Sequence, residues 1–173
     1  MCGPVRRARI PLGATLARVS IREADASDVT AIERVVERAY EGYVPRIGRR
    51  PSPMEQDYAE RVANALVFVW DEDGVTGVLV LVPASDHLLV ENVAVDPLAQ
   101  GRGIGRHLMA RAESEAIRLG LDELRLYTNA AMSENLAFYP RLGYRETGRR
   151  SEAGYARVYF SKRLLPGSPE SPG

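Results

Sequence analysis

The chain has 173 residues, of which 45% are hydrophobic and 27% charged, with Lys+Arg and Asp+Glu both at 23 and a formal net charge of zero. That length fits one domain with a real core, and the balance lacks the basic excess of a nucleic-acid binder. One cysteine (Cys2) and two distant histidines (His87, His107) leave no disulfide framework and no metal-ligand spacing, so no metal is expected.

No apolar run is long enough to span a membrane. The N-terminal arginines Arg6, Arg7 and Arg9 are followed by no apolar signal core. Cytoplasm is the default compartment. Residues 1–17 read as a flexible basic tail broken by Gly3, Pro4, Pro11 and Gly13, and residues 166–173 as a disordered Pro/Gly/Ser tail. The domain is expected over residues 18–165.

Val19 to Arg22 alternates apolar and polar, as a strand does. Asp25 or Ser27 then caps a helix whose apolar face is Val29, Ile32, Val35, Val36 and Ala39. Tyr40 to Pro51, rich in Tyr, Arg, Gly and Pro, has the chemistry of a loop carrying large contact side chains. Ser52-Pro53 opens a second helix expected to run through Met54, Asp57, Tyr58, Arg61 and Val62. Ala65 to Trp70 and Val75 to Val82 are strands joined at Asp71-Glu72-Asp73-Gly74, a hairpin signal. His87 to Val95 is a third strand. Gln100-Gly101-Arg102-Gly103-Ile104-Gly105 makes a turn, and a helix follows with Ile104, Leu108, Met109, Ala112, Ala116 and Leu119 on its apolar side, ending at Gly120. Leu124 to Thr128 is a strand, Met132 to Arg141 a short helix, and Tyr144 to Arg149 with Tyr155 to Arg163 a final strand pair. The order predicts an α/β (α+β) fold: a mixed, mostly antiparallel sheet of six to seven strands with helices on both faces.

Strand, glycine turn, helix is the arrangement that offers unpaired N–H groups to an anion. The turn by itself is a weak signal. Arg106 stands where a dinucleotide fingerprint has glycine, and there is no Gly-Lys-Ser/Thr for a nucleoside triphosphate. Its context says more. Val93-Ala94-Val95-Asp96-Pro97, then Gln100-x-x-Gly103-x-Gly105, a long helix, a strand, and Asn135 to Tyr144 with Tyr139-x-x-x-Gly143-Tyr144 together resemble the GCN5-related N-acetyltransferase (GNAT) superfamily, over roughly Arg18 to Leu164.

The resemblance implies a GNAT-like fold and an acetyl-CoA-dependent N-acetyltransferase, without metal, acting on a primary amine of a small molecule or a protein. Homodimers are common in families of this kind. Nucleic acid and membrane are not expected partners. By the resemblance, Gln100, Gly101, Arg102, Gly103, Ile104, Gly105 and Arg106 hold the CoA pyrophosphate, and the pantetheine arm pairs with the backbone of Val93, Ala94 and Val95. For Arg102 and Arg106 a solvated helix start is the other reading. Tyr139 occupies the family's general-acid position. A phenol near pKa ~10 suits a thiolate whose thiol has a pKa of roughly 8.5. The family often has Asn one turn before Asn135, where this chain has Met132. Asn135 shares a helix face with Tyr139 and is a candidate to bond CoA or orient the phenol. Pro140 loosens the turn on which Tyr139 sits.

Glu91 lies in an otherwise apolar strand, on the face of Leu89 and Val93 by simple alternation, opposite Asn92. It is either a general base with a raised pKa or a buried structural carboxylate. Tyr40, Tyr43, Arg46, Met54, Asp57 and Tyr58 fall where the family's variable substrate loops lie. The Arg hints at a carboxylate on the acceptor and the tyrosines at a flat one, although Tyr and Asp there also pack and cap. A non-catalytic acyl-CoA-binding or regulatory module is the alternative reading.

Overall fold

The computed structural model describes residues 19–164. The expected tails, Cys2 included, lie outside them. Seven strands form one sheet in the order β1-β2-β3-β4-β5-β7-β6. β1 (Ser20–Glu23), β2 (Leu66–Asp71), β3 (Val75–Pro83) and β4 (Leu88–Val95) run as an antiparallel meander. α4 (Ile104–Arg118) then carries the chain over to β5 (Glu123–Asn129), which pairs parallel with β4. β6 (Arg145–Glu152) and β7 (Tyr155–Arg163) complete the antiparallel half.

Period-2 patterning on β2 and β3 supplies both cores. Val67, Val69, Val78 and Val80 face Ile32, Val35 and Val36 of α1 (Val29–Tyr40) and Tyr58 of α3 (Tyr58–Asn64). Phe68, Leu79 and Leu81 face Ile104, Leu108 and Met109 of α4, and the same cluster takes in Tyr139 of α5 (Ser133–Arg141). Helices therefore cover both faces, as the sequence predicts.

Two stretches differ from expectation. Tyr40 to Pro51 is more helical than its composition suggests. A 3-10 turn at Glu41–Tyr43 leads into α2 (Val44–Ile47), with Pro45 in the first turn, where it costs no hydrogen bond, and the helix stops at Gly48. The helix expected from Ser52 is split. A 3-10 turn covers Ser52–Glu55, Gln56 is extended, and the Asp57 side chain accepts from the Glu60 N–H at 3.0 Å to start α3 afresh. Asp57 is an N-cap, and capping outcompeted continuation.

β4 carries an irregularity. Val80 pairs with Asn92 but Leu81 pairs with Val90, so Glu91 has no partner in β3. An extra residue of this kind turns every later side chain over. Leu88 and Val90 belong to the α4 core; past the bulge it is Val93 and Val95 that pack against that core, while Ala94 joins the α1 core. Simple alternation put Glu91 on one face with Leu89 and Val93; the bulge moves Val93 to the other.

α4 begins tight against β3. A Cβ on Gly77 would sit 3.0 Å from Ile104 Cγ2, 3.0 Å from Trp70 Cβ and 3.1 Å from Leu108 Cδ1. Gly77→Ala should cost about 1–3 kcal/mol by overpacking and displace the first residue of α4. Denaturant unfolding checks this; an unchanged midpoint would mean that the contact has slack.

Candidate active site

The parallel pairing of β4 and β5 is short: Leu88, Leu89 and Val90 match Leu124, Arg125 and Leu126. β4 runs on to Val95 and β5 to Asn129 without touching each other as strands. The bulge at Glu91 lies where they part. On its β5 side the backbone from Glu91 to Val95 is thus an open edge, able to pair with an extended chain.

At one end of this opening is the glycine turn. Asp96 fixes the strand end: its carboxylate accepts from the Leu98 N–H at 2.9 Å and pairs with Arg38 at 3.1 Å. Gln100 Nε2 reaches back to the Val95 carbonyl at 3.2 Å. Gly101 and Gly103 have φ of 78° and 81°, a left-handed backbone that disfavours side chains. Gly103 is the N-cap of α4 and no side chain caps the helix, so the first-turn amides of Ile104 to Arg106 keep no side-chain partner. They border a cleft of about 660 Å3 lined also by Val93, Ala94, Val95, Tyr43, Phe138 and Arg141. Dipole, bare amides and the side chains of Arg106 and Arg141 make this end suited to a polyanion.

At the other end is a narrower pocket of about 60 Å3, walled by Glu91, Asn92, Tyr127, Asn129, Tyr155 and Arg157. Tyr40, Val93, Asn135 and Tyr139 line both spaces. Tyr139 is 5% exposed, packs against Phe138, Tyr144 and Phe160, and donates no hydrogen bond among the described residues. Burial pushes its phenol well above the usual tyrosine range. Glu91 Oε1 pairs with Arg61 of α3 at 2.9 Å, whereas Oε2 is buried without a partner. Burial raises the carboxyl above its ordinary value; Arg61 and the Gln56 side chain oppose this but do not cancel it.

Asn92 is 3% exposed and fully engaged. Its Oδ1 accepts from the Tyr40 hydroxyl at 2.7 Å, and its Nδ2 donates to Tyr58 Oη at 2.9 Å, whose own O–H goes to the Pro53 carbonyl at 2.9 Å. This chain of bonds holds the strand beside the bulge against α1 and the segment before α3. Asn135 donates to Thr128 Oγ1 at 3.0 Å, which ties α5 to β5 rather than to Tyr139.

The structure thus brings together Glu91, Tyr139, Asn135, Tyr40, Tyr43, Val93 to Val95, and Gln100, Gly101 and Gly103 to Arg106 around one continuous opening. Five expected residues lie elsewhere. Arg102 reaches Glu72 at 2.6 and 2.7 Å. Arg46, beside the Tyr43 ring, donates to Glu134 at 2.9 Å and to Ser133 at 3.0 Å, so its carboxylate is the protein's own. Asp57 caps α3, and Tyr58 and Met54 pack in or against the α1 core.

Sequence reasoning missed Tyr127, Asn129, Tyr155, Arg157 and Arg141. The first four sit at alternate positions on β5 and β7, so period-2 reading offered them as one polar face. Nothing in the pattern said that this face borders a gap in the sheet.

Residues 63–146 match the family model for the Acetyltransferase (GNAT) domain. The "Probable N-acetyltransferase 14" of Xenopus tropicalis is 31% identical over 94 residues, 53% of this chain and 46% of that protein, so the match spans about half of that relative's length. The PaiA N-acetyltransferase of Thermoplasma acidophilum, solved in complex with coenzyme A, superposes with a TM-score of 0.72 at 16% identity, over 85% of this chain and 99% of that one. The putative acetyltransferase YncA of Salmonella typhimurium, solved with acetyl-CoA, gives 0.67 at 21% identity over 90% and 99%. At these identities the solved structures speak for the shared fold. Among the described residues, no helix is long and apolar enough to cross a membrane, and no group of three His, Cys, Asp or Glu side chains could hold a metal ion.

The ion pair at Glu91 gives a direct check. Arg61→Met removes the charge that opposes burial, so the Glu91 carboxyl should titrate still higher. Carbon-13 titration of that carboxyl measures it; an unchanged or lower value would show that Arg61 does not hold the carboxyl down.

Proposed function

We propose, on the premise that the chain carries a GNAT acetyltransferase domain, that it is an acetyl-CoA-dependent N-acetyltransferase acting on a primary amine of a small molecule or a protein. One observation carries the reading. The anion-suited cleft and the narrow pocket share Tyr40, Val93, Asn135 and Tyr139, so a donor in one and an acceptor in the other meet at the phenol and beside Glu91.

The residues present fit CoA. The amides of Ile104 to Arg106 at the uncapped start of α4 suit a pyrophosphate, with Arg106 and Arg141 as added charge. The open β4 edge at Val93 to Val95 suits an amide-bearing arm. Acetyl-CoA supplies an acetyl thioester, whose carbonyl carbon bonds to the amine nitrogen as the C–S bond breaks.

The chain's residues manage two protons. Attack needs a neutral amine, and the product amide sheds one proton. Glu91, whose carboxylate lines the narrow pocket, takes it, directly or through a water. A carboxylate raised by burial is a better base than an ordinary one. Tyr139 holds the other proton. Its raised pKa keeps the phenol protonated throughout the neutral range, so it stays a donor to the departing sulfur. The same dry surroundings raise the thiol's own pKa, which brings the two closer to a match.

Acetyl-CoA-dependent thiol release across an amine panel tests this. Tyr139→Phe should lower kcat by about 100-fold or more with CoA affinity retained. In the wild type, kcat/KM should rise with pH through an apparent pKa above the ordinary glutamate value of about 4.3, and Glu91→Gln should remove that limb. CoA binding without turnover on any amine would point instead to a binding module, and failure to bind CoA would end both readings.

A further inference from the structure

The narrow pocket is not chemically uniform. At the β4 end are two buried acceptor atoms without a hydrogen-bond partner, Glu91 Oε2 and Gln56 Oε1. The Glu91 carboxylate in that wall favours a ligand group that carries a donor or a positive charge. At the other end is Arg157 on β7, directly opposite Asn129 in the sheet register. Its guanidinium lies 4.3 Å over the Tyr127 ring and 6.0 Å from the Tyr155 ring, and one nitrogen, Nη1, is bonded to Glu152 at 3.0 Å. Stacking and that bond hold the fork in place, with its side chain 19% exposed. A pre-oriented fork of this kind matches a carboxylate.

The pocket is also bridged over on one side. Arg49 Nη1 donates to the Ala153 carbonyl at 3.0 Å, and the same guanidinium covers the Tyr155 ring at 4.1 Å. The Tyr155 hydroxyl donates to the Arg50 carbonyl at 2.7 Å. The segment after α2 is thereby latched to the β6–β7 turn. The space is narrow, about 60 Å3, against about 660 Å3 for the neighbouring cleft, which favours a small acceptor.

We propose that the acceptor is a small amino-acid-type amine, held by its carboxylate on Arg157 with its amine toward Glu91, and that Arg157 determines this specificity. The proposal rests on the transferase reading above. It also moves the carboxylate anchor from Arg46, which is outside the pocket lining with Nη1 on Glu134 and Nη2 on Ser133, to Arg157, which lines the pocket and pairs with Glu152 through Nη1.

The test uses the full chain with bound CoA and matched pairs: tyrosine with tyramine, phenylalanine with phenethylamine, leucine with isoamylamine, and γ-aminobutyrate with propylamine. A short peptide with a free N-terminus is included. Calorimetry reads binding and thiol release from acetyl-CoA reads turnover. At least one carboxylate-bearing member should bind and react better than its partner and than the peptide. Arg157→Gln should weaken that acceptor about 10- to 100-fold in Kd and KM with kcat little changed, and weaken the matching plain amine far less. Arg157→Lys, which keeps the charge but not the fork, should recover part of the loss. A preference for plain amines or the peptide would overturn the proposal, as would an equal effect of Arg157→Gln on both pair members, or no binding by any carboxylate-bearing amine. In each case intact CoA binding and thiol release on another amine leave the transferase reading standing; loss of CoA binding itself strikes that reading instead.

Discussion

After Val90 the backbone of β4 has no strand on its β5 side, and the candidate site is arranged around that parting. The sheet is continuous below it, where Leu88 to Val90 lie against Leu124 to Leu126, and split above it. A split sheet is costly unless its polar edge is used and its walls are held apart. Here the walls are held by side chains. On one side the Tyr40–Asn92–Tyr58–Pro53 chain of bonds fixes β4 to α1 and to the segment before α3. On the other, Asn135 ties α5 to Thr128 of β5. Tyr139 then sits between the walls.

The bulge at Glu91 does two things at once. It bends β4 away from β5, and it exchanges the faces of the residues beyond it, so that Val93 and Val95 pack toward α4 while Asn92 faces the α1 side, where its partners lie. Glu91 itself, the unpaired residue, is left with one oxygen on Arg61 and the other buried in the pocket wall. A carboxylate in that position is kept from full ionic pairing by geometry and from solvent by burial. The same local irregularity therefore opens the cleft and tunes the group beside it.

Much of this was legible from residue patterns. The meander, the β4–α4–β5 crossover and the anion-suited turn follow from alternation, Asp-Gly and the spacing of Gly101, Gly103 and Gly105. Tyr139 and the strand Val93 to Val95 came from the family resemblance rather than from spacing. The substrate side was far less legible, for two physical reasons. In Tyr40 to Tyr58, side chains with the chemistry of binding are spent on the protein: Arg46 on Glu134, Asp57 on a helix start, Tyr58 on Asn92. The residues that do line the pocket, such as Tyr127 and Arg157, look like the solvated face of two ordinary strands. Only the gap between β4 and β5 gives that face an inside, and neither a bulge nor a gap has a local signature in residue order.

The central claim is that the open β4 edge and the bare amides of α4 together receive CoA. Amide hydrogen exchange with and without CoA tests it most directly. New protection should appear at Val93 to Val95 and at Ile104 to Arg106, with β1 and the outer strand β6 unchanged. Binding of CoA with no added protection at Val93 to Val95 would contradict the account.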